Sequence, residues 1–130
     1  TGVSQAATFG TQSAGVKATG ASGGSSAVDT TTCETYNGTS WSSTGSMSTG
    51  RRYAAGFGSS SKGYVSGGEN GGTDQQSTET FNGSTWSSDT NLPAAKSIAA
   101  QGMGGDTSAN GFLAGGISGG SVVDTMYSAS

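Results

Sequence analysis

Histidine is absent from this chain, cysteine and proline occur once each, and only 10% of its 130 residues are charged. Without histidine no Ser–His or Cys–His pair can form, because the hydroxyl or thiol has no imidazole base beside it. Cys33 stands alone, so an intrachain disulfide is excluded; its place in a strand pattern beside Glu34 marks it as a small packed residue. No apolar run approaches the roughly 18 residues that cross a bilayer as a helix, and no charged-then-apolar leader opens the sequence. The five lysines and arginines are scattered apart from Arg51-Arg52, and the net charge is −3. The basic footprint of a nucleic-acid binder is therefore missing, and neither nucleic acid nor a membrane interior is expected among the partners.

Glycine is what the chain has in plenty, with 25 residues, and Ser, Thr and Asn fill much of the rest. Such a composition on its own reads as low complexity. Internal repetition argues against disorder. Ala6-Ala7-Thr8-Phe9-Gly10 returns 48 residues later as Ala54-Ala55-Gly56-Phe57-Gly58, and a Gly-x-x-x-x-Gly pattern recurs at Gly15 and Gly20, Gly63 and Gly68, Gly111 and Gly116. Glu34-Thr35-Tyr36-Asn37-Gly38-Thr39-Ser40-Trp41 comes back 45 residues later as Glu79-Thr80-Phe81-Asn82-Gly83-Ser84-Thr85-Trp86, across a shorter intervening loop. Repeats of this length build solenoids, propellers or arrays, in which one unit cannot bury its own apolar face and must stack on its neighbours.

The second copy is the clearest. Arg52 to Gly58 has too many glycines for a helix and reads as a short inner strand. Gly63-Tyr64-Val65-Ser66-Gly67-Gly68 is a second strand with β-formers at its centre and a double glycine at its end. A glycine-rich loop then leads to Ser77-Thr78-Glu79-Thr80-Phe81, a third strand, and Asn82-Gly83 turns it onto a fourth, Ser84-Thr85-Trp86-Ser87. Asn-Gly between two extended runs predicts a two-residue type I′ turn with positive φ at both positions, and Asn37-Gly38 predicts the same in the first copy. The expectation is four antiparallel strands per repeat and no helix. Asn37 and Asn82 also open N-glycosylation sequons, although the turn accounts for both without a glycan.

These residues resemble the kelch repeat. The double glycine is Gly67-Gly68 and Gly115-Gly116, with Thr19-Gly20 in its place in the first copy. The acidic-x-aromatic segment is Glu34-x-Tyr36 and Glu79-x-Phe81, and the following tryptophans are Trp41 and Trp86. Leu92-Pro93 with Lys96, and Met47 with Arg51, match the run into the next blade. The resemblance implies an all-β fold, a kelch-like β-propeller segment of four-stranded antiparallel blades, with about two complete blades and a partial third. On that reading residues 1–5 end a preceding blade, 6–50 form the first, 51–96 the second and 97–130 an incomplete third, all in one propeller domain. Since propellers close with several blades, the chain is expected to be a fragment of a longer one, or else a protomer that completes a ring with identical subunits.

Trp41 and Trp86, at one place in each repeat, are expected to pack between neighbouring blades; the competing role is a stacking platform for a sugar ring. Glu34 and Glu79 are expected to hydrogen-bond a nearby backbone or turn, since equivalent carboxylates one blade apart do not form a glycosidase pair. Sialidase-type turns carry an aspartate where this chain has Tyr36 and Phe81, and copper-radical propellers need the histidine it lacks. Gly67 to Gly72 has no phosphate-loop lysine, and Asp29, Asp74, Asp89 and Asp106 form no dense oxygen-ligand array. No catalytic, metal or cofactor site is expected. Ligand contacts are assigned to the loop of variable length, with Glu69, Asn70 and Asp74 as candidates. The expected function is a non-enzymatic structural or binding segment of a virion-surface fibre or extracellular attachment protein that recognises glycan or cell-surface polymer. The alternatives are the non-catalytic part of a glycan-active enzyme, or an intracellular kelch adaptor.

Overall fold

Short runs of small, β-branched and aromatic residues between glycines leave only extended chain as a way to pair the backbone. The computed structural model describes residues 2–24, 27–97, 100–103, 111–123 and 125–129, and among these the chain is all-β with no α-helix. The first unit comprises β1 (Ala7–Thr11), β2 (Ala14–Ala18), β3 (Ala21–Ser22), β4 (Val28–Asp29), β5 (Cys33–Tyr36) and β6 (Trp41–Ser43). Four of these form an antiparallel sheet in the order β1-β2-β5-β6, while β3 and β4 make a small separate hairpin. The second unit repeats the plan with β7 (Ala55–Ser59), β8 (Lys62–Ser66), β9 (Glu69–Asn70), β10 (Thr73–Asp74), β11 (Thr78–Phe81) and β12 (Trp86–Asp89), and again β9 and β10 stand apart as a hairpin. In the third, β13 (Ala100–Met103), β14 (Gly111–Ala114) and β17 (Met126–Ala129) form a sheet, and β15 (Ile117–Ser118) pairs with β16 (Ser121–Val122). No sheet closes on itself.

Register shows the repetition best. Gly15 pairs with Tyr36 and Tyr36 with Trp41 in the first sheet; Gly63 pairs with Phe81 and Phe81 with Trp86 in the second. Because side chains alternate across a pleated strand, Gly56, Gly63, Val65, Glu79, Phe81 and Trp86 share the face of the second sheet that meets the first. The first sheet answers with Ala7, Phe9, Val16, Ala18 and Cys33, and Met47 joins from the connection; these close a core with Val65 and Phe81. Phe9 is the plug of this interface. Its ring lies 6.5 Å from Phe81 and 6.1 Å from Trp86, both edge-on, and a Cβ on Gly63 would sit 2.0 Å from Phe9 Cε2. Only glycine on β8 admits that ring. On the opposite face of the second sheet Phe57 stacks on Tyr64 at 5.2 Å, and both are buried.

Two local expectations need correction. The Asn-Gly segments are not two-residue type I′ turns: Tyr36 pairs with Trp41 and Phe81 with Trp86, so each loop holds four residues and the fourth strand begins at the tryptophan. Gly38 and Gly83 have φ of +94° and +100°, but neither asparagine has positive φ. Asn37 Oδ1 accepts from the N–H groups of Thr39 and Ser40, and Asn82 Oδ1 from those of Ser84 and Thr85, so side-chain capping sets the loop shape. Second, the glycine-rich loops contain the hairpins β3-β4, β9-β10 and β15-β16. Thr19, which stands in place of the first glycine of the pair, does take its conformation. It takes φ of +58°, and its hydroxyl bonds Thr30 O at 2.7 Å and Arg51 O at 2.6 Å, offsetting the strain of a β-branched residue there.

Candidate functional site

Each connection between sheets carries a buried cation that holds the next sheet. Arg51, with no exposed surface, donates through Nη1 to Gly67 O at 2.9 Å and Ser77 O at 2.8 Å, and through Nη2 to Ser77 Oγ at 2.8 Å and Glu79 Oε2 at 3.3 Å. Lys96 repeats this one unit on, donating to Gly115 O, Thr125 O and Thr125 Oγ1. Burial pulls the Arg51 guanidinium below its ordinary value, opposed by the Glu79 carboxylate. Glu79 in turn accepts from the backbone N–H of Ser48 at 2.7 Å and of Thr49 at 3.4 Å, so one carboxylate fastens both the cation and the peptide of the incoming connection. The double glycines let this backbone come close: a Cβ on Gly67 would meet Lys96 O at 2.6 Å, and one on Gly68 would meet Arg52 O at 2.7 Å. Gly20 N donates to Arg51 O as Gly68 N donates to Lys96 O. Gly115 and Gly116 keep the same left-handed conformation, with φ of +66° and +105°.

Glu34 does not repeat the role of Glu79. It pairs with Lys17, its cross-strand neighbour, on the outward face of the first sheet; that ammonium holds its carboxyl below the ordinary glutamate value. A cleft of about 270 Å³ opens there beside Lys17, Glu34, Ser43 and Ser46. The tryptophans also part company. Trp86 is half-buried against Phe9 and Phe81, and its indole N–H makes no conventional hydrogen bond and lies by the Cys33 sulfur. Trp41 is 52% exposed and, among the described residues, has one ring neighbour, Tyr36, 5.2 Å away. Cys33 is buried, and desolvation pushes its thiol up, which makes it a poor nucleophile.

The hairpins β3-β4, β9-β10 and β15-β16 are joined in a row by two aspartates. Asp29 Oδ1 accepts from Arg52 Nε at 2.5 Å and its Oδ2 from the Gly71 N–H at 2.8 Å; Asp74 Oδ1 accepts from Ser97 Oγ at 2.8 Å and its Oδ2 from the Gly119 N–H at 2.9 Å. Between the second and third hairpins lies a cleft of about 520 Å³, lined by Glu69, Thr73, Asp74, Ser97, Ile117 and Gly119 among others. Glycine turns keep its rim low, and its lining is more apolar than polar, with Ala95 and Ile117 beside Glu69 and Asp74.

Of the three loop residues singled out from the sequence, the fold brings Glu69 and Asp74 to this cleft and takes Asn70 out of it. Asn70 Nδ2 donates to Gly50 O at 2.5 Å and ties the hairpin to the connection. Asp74 is committed to its neighbour hairpin. Glu69 pairs through its backbone with Arg52, and its side chain makes no hydrogen bond among the described residues, which leaves it the most available of the three. Sequence reasoning missed Arg51, Lys96 and Asp29 as joints; the available signal was that Arg51 and Lys96, and Asp29 and Asp74, share the 45-residue spacing of the acidic-x-aromatic segments. Among the described residues no three His, Cys, Asp or Glu side chains gather as metal ligands.

The chain thus belongs to the class of all-β proteins made from similar antiparallel sheets, each with a small hairpin at one place. No protein-family model and no curated protein matches it. A solved structure titled "Structure of YjhT" superposes with a TM-score of 0.78 at 13% identity, over 96% of this chain and 42% of that one. The chain therefore spans less than half the length of that structure, and at this identity the likeness is one of fold.

Proposed function

We propose that the chain is a segment of a kelch-like β-propeller that binds rather than catalyses, at a virion surface or outside the cell, and that its target is a glycan or other hydroxyl-rich surface polymer. The observation that carries this reading is the hairpin row, where two aspartates fix neighbouring hairpins and leave beside them a shallow cleft that combines an apolar floor with the Glu69 carboxylate, as a sugar ring combines apolar faces with hydroxyl edges. Carboxylates and backbone groups on a fixed frame suit hydroxyl recognition, because each can pair a sugar hydroxyl without moving. The composition supports binding over chemistry, since no histidine is present to serve as base. The propeller reading draws on the repeated register, the double glycines pressed against the connection, and buried cations that seat each sheet on the next.

A glycan array probed with the protein and with its Glu69→Ala variant tests the reading. Binding to one polymer class that weakens at least about tenfold in the variant is expected, the size set by loss of a charge-assisted hydrogen bond. Absence of binding to any glycan or cell-surface polymer overturns it.

A further inference from the structure

Gly15, Tyr36 and Trp41 repeat, on the outward face of the first sheet, the arrangement with which Gly63, Phe81 and Trp86 seat Phe9. The registers are the same, and the ring pairs are nearly superimposable: Tyr36 and Trp41 lie 5.2 Å apart at 35°, Phe81 and Trp86 5.0 Å apart at 33°. The difference is what lies on top. A Cβ on Gly63 would run into the Phe9 ring, whereas one on Gly15 would find nothing nearer than 3.6 Å. The cleft beside Glu34 continues the match, because in the second sheet the equivalent carboxylate of Glu79 holds the Ser48–Thr49 peptide.

From this we infer that the Gly15–Tyr36–Trp41 face is a docking socket for one further β-sheet of the same kind, which inserts an aromatic ring from its inner strand at the position of Phe9. Continuity with the interface between the first and second sheets is the argument, and it extends the serial stacking of the propeller reading without leaning on a glycan target. A second copy of this chain is the poorer occupant, since its third sheet offers Gly102 in the register where the first two carry Phe9 and Phe57. Lys17 stands where the second sheet has Val65, and it supplies to Glu34 the positive charge that Arg51 supplies to Glu79. The arriving connection therefore needs to bring only peptide N–H groups to that carboxylate.

The test lengthens the protein by one unit. Residues 1–48 are placed once more ahead of Thr1, with Trp41→Phe in the added copy, and both this chain and the parent carry Trp86→Phe so that the original Trp41 is the sole reporter. Acrylamide quenching of Trp41 should fall on the order of threefold and its emission move to the blue, as an indole passes from exposed to enclosed. Phe9→Ala in the added copy alone should reverse both changes. Unchanged quenching with the added strands folded by circular dichroism overturns the inference, and so does an added copy that proteases remove while the rest resists, because a matched socket would hold it. Concentration-dependent dimers of the unextended chain that Trp41→Ala abolishes would assign the socket to a second copy instead. An oligosaccharide that protects Trp41 in the unextended chain would make it a sugar platform and likewise overturn the assignment.

Discussion

The first and second sheets carry the same residues at the same register and put them to different use. Phe81 is wholly buried and Trp86 half-buried beneath Phe9, while Tyr36 is half-buried and Trp41 lies open. Glu79 anchors a buried arginine and two peptide groups, while Glu34 makes a surface pair with Lys17. In a stacked architecture, then, burial is conferred by the neighbour and not by the unit itself. A substitution at one position in the repeat should cost very different amounts in the two sheets.

The sharpest contrast falls on the glutamates. Glu79→Gln strips the charge partner from buried Arg51, whose Nε already lacks an acceptor, and should cost roughly 3–5 kcal/mol in urea unfolding. Glu34→Gln, at the solvent-screened pair, should lower the melting temperature only slightly. Equal losses would break the comparison. Next come the tryptophans: Trp86→Ala should cost about 3 kcal/mol through lost packing on Phe9 and Phe81, and Trp41→Ala should stay within about 0.5 kcal/mol, both read from denaturant midpoints. Gly63→Ala forces Phe9 from its seat and should destabilise by roughly 1–3 kcal/mol. Gly15→Ala meets only ordinary contacts and should be neutral or stabilising by about 0.5 kcal/mol. A destabilising Gly15→Ala would mean that something already covers the outward face.

Smaller effects concern the hairpins and pH. Asp74→Asn keeps one acceptor but loses the charge, and should cost about 1 kcal/mol with faster amide exchange at Gly119. Glu34 has its carboxyl held below the ordinary value of 4.5 by Lys17. Its contribution is complete above that ordinary value and disappears as pH falls through the lowered folded value. Comparing the acid limb of the melting-temperature profile with that of Glu34→Gln should show a slight extra loss in the parent, and added salt should shrink it.

Strand content, the repeat and the double glycines were legible because each rests on residues local to one unit. Gly67 and Gly68 both take positive φ, and a Cβ on either would run into the backbone of a connection, so the paired glycines announce the close approach. The Asn-Gly loops were misread because two local forces compete at one dipeptide, and the asparagine carboxamide, by capping two N–H groups, widened the loop. The hairpin β9-β10 was missed for a different reason: it is only two residues a side, Glu69, Asn70 and Asp74 are weak strand formers, and the contacts that brace it, from Asp29 and Arg52, come from outside the hairpin. Trp41 and Trp86 could not be told apart from sequence, since their difference is made by Phe9, which lies beyond either local pattern.

The aspartate links also give the row of hairpins a direction. Asp29 reaches forward to Gly71 and Asp74 forward to Gly119, always from the closing strand of one hairpin to the turn of the next. A strain or a ligand that tilts the middle hairpin therefore acts on Asp29 behind it through the Gly71 N–H and on Gly119 ahead of it through Asp74. Because each hydrogen bond pulls equally on its two partners, a load on any hairpin is shared along the row in both directions, and the three hairpins answer it as one strip.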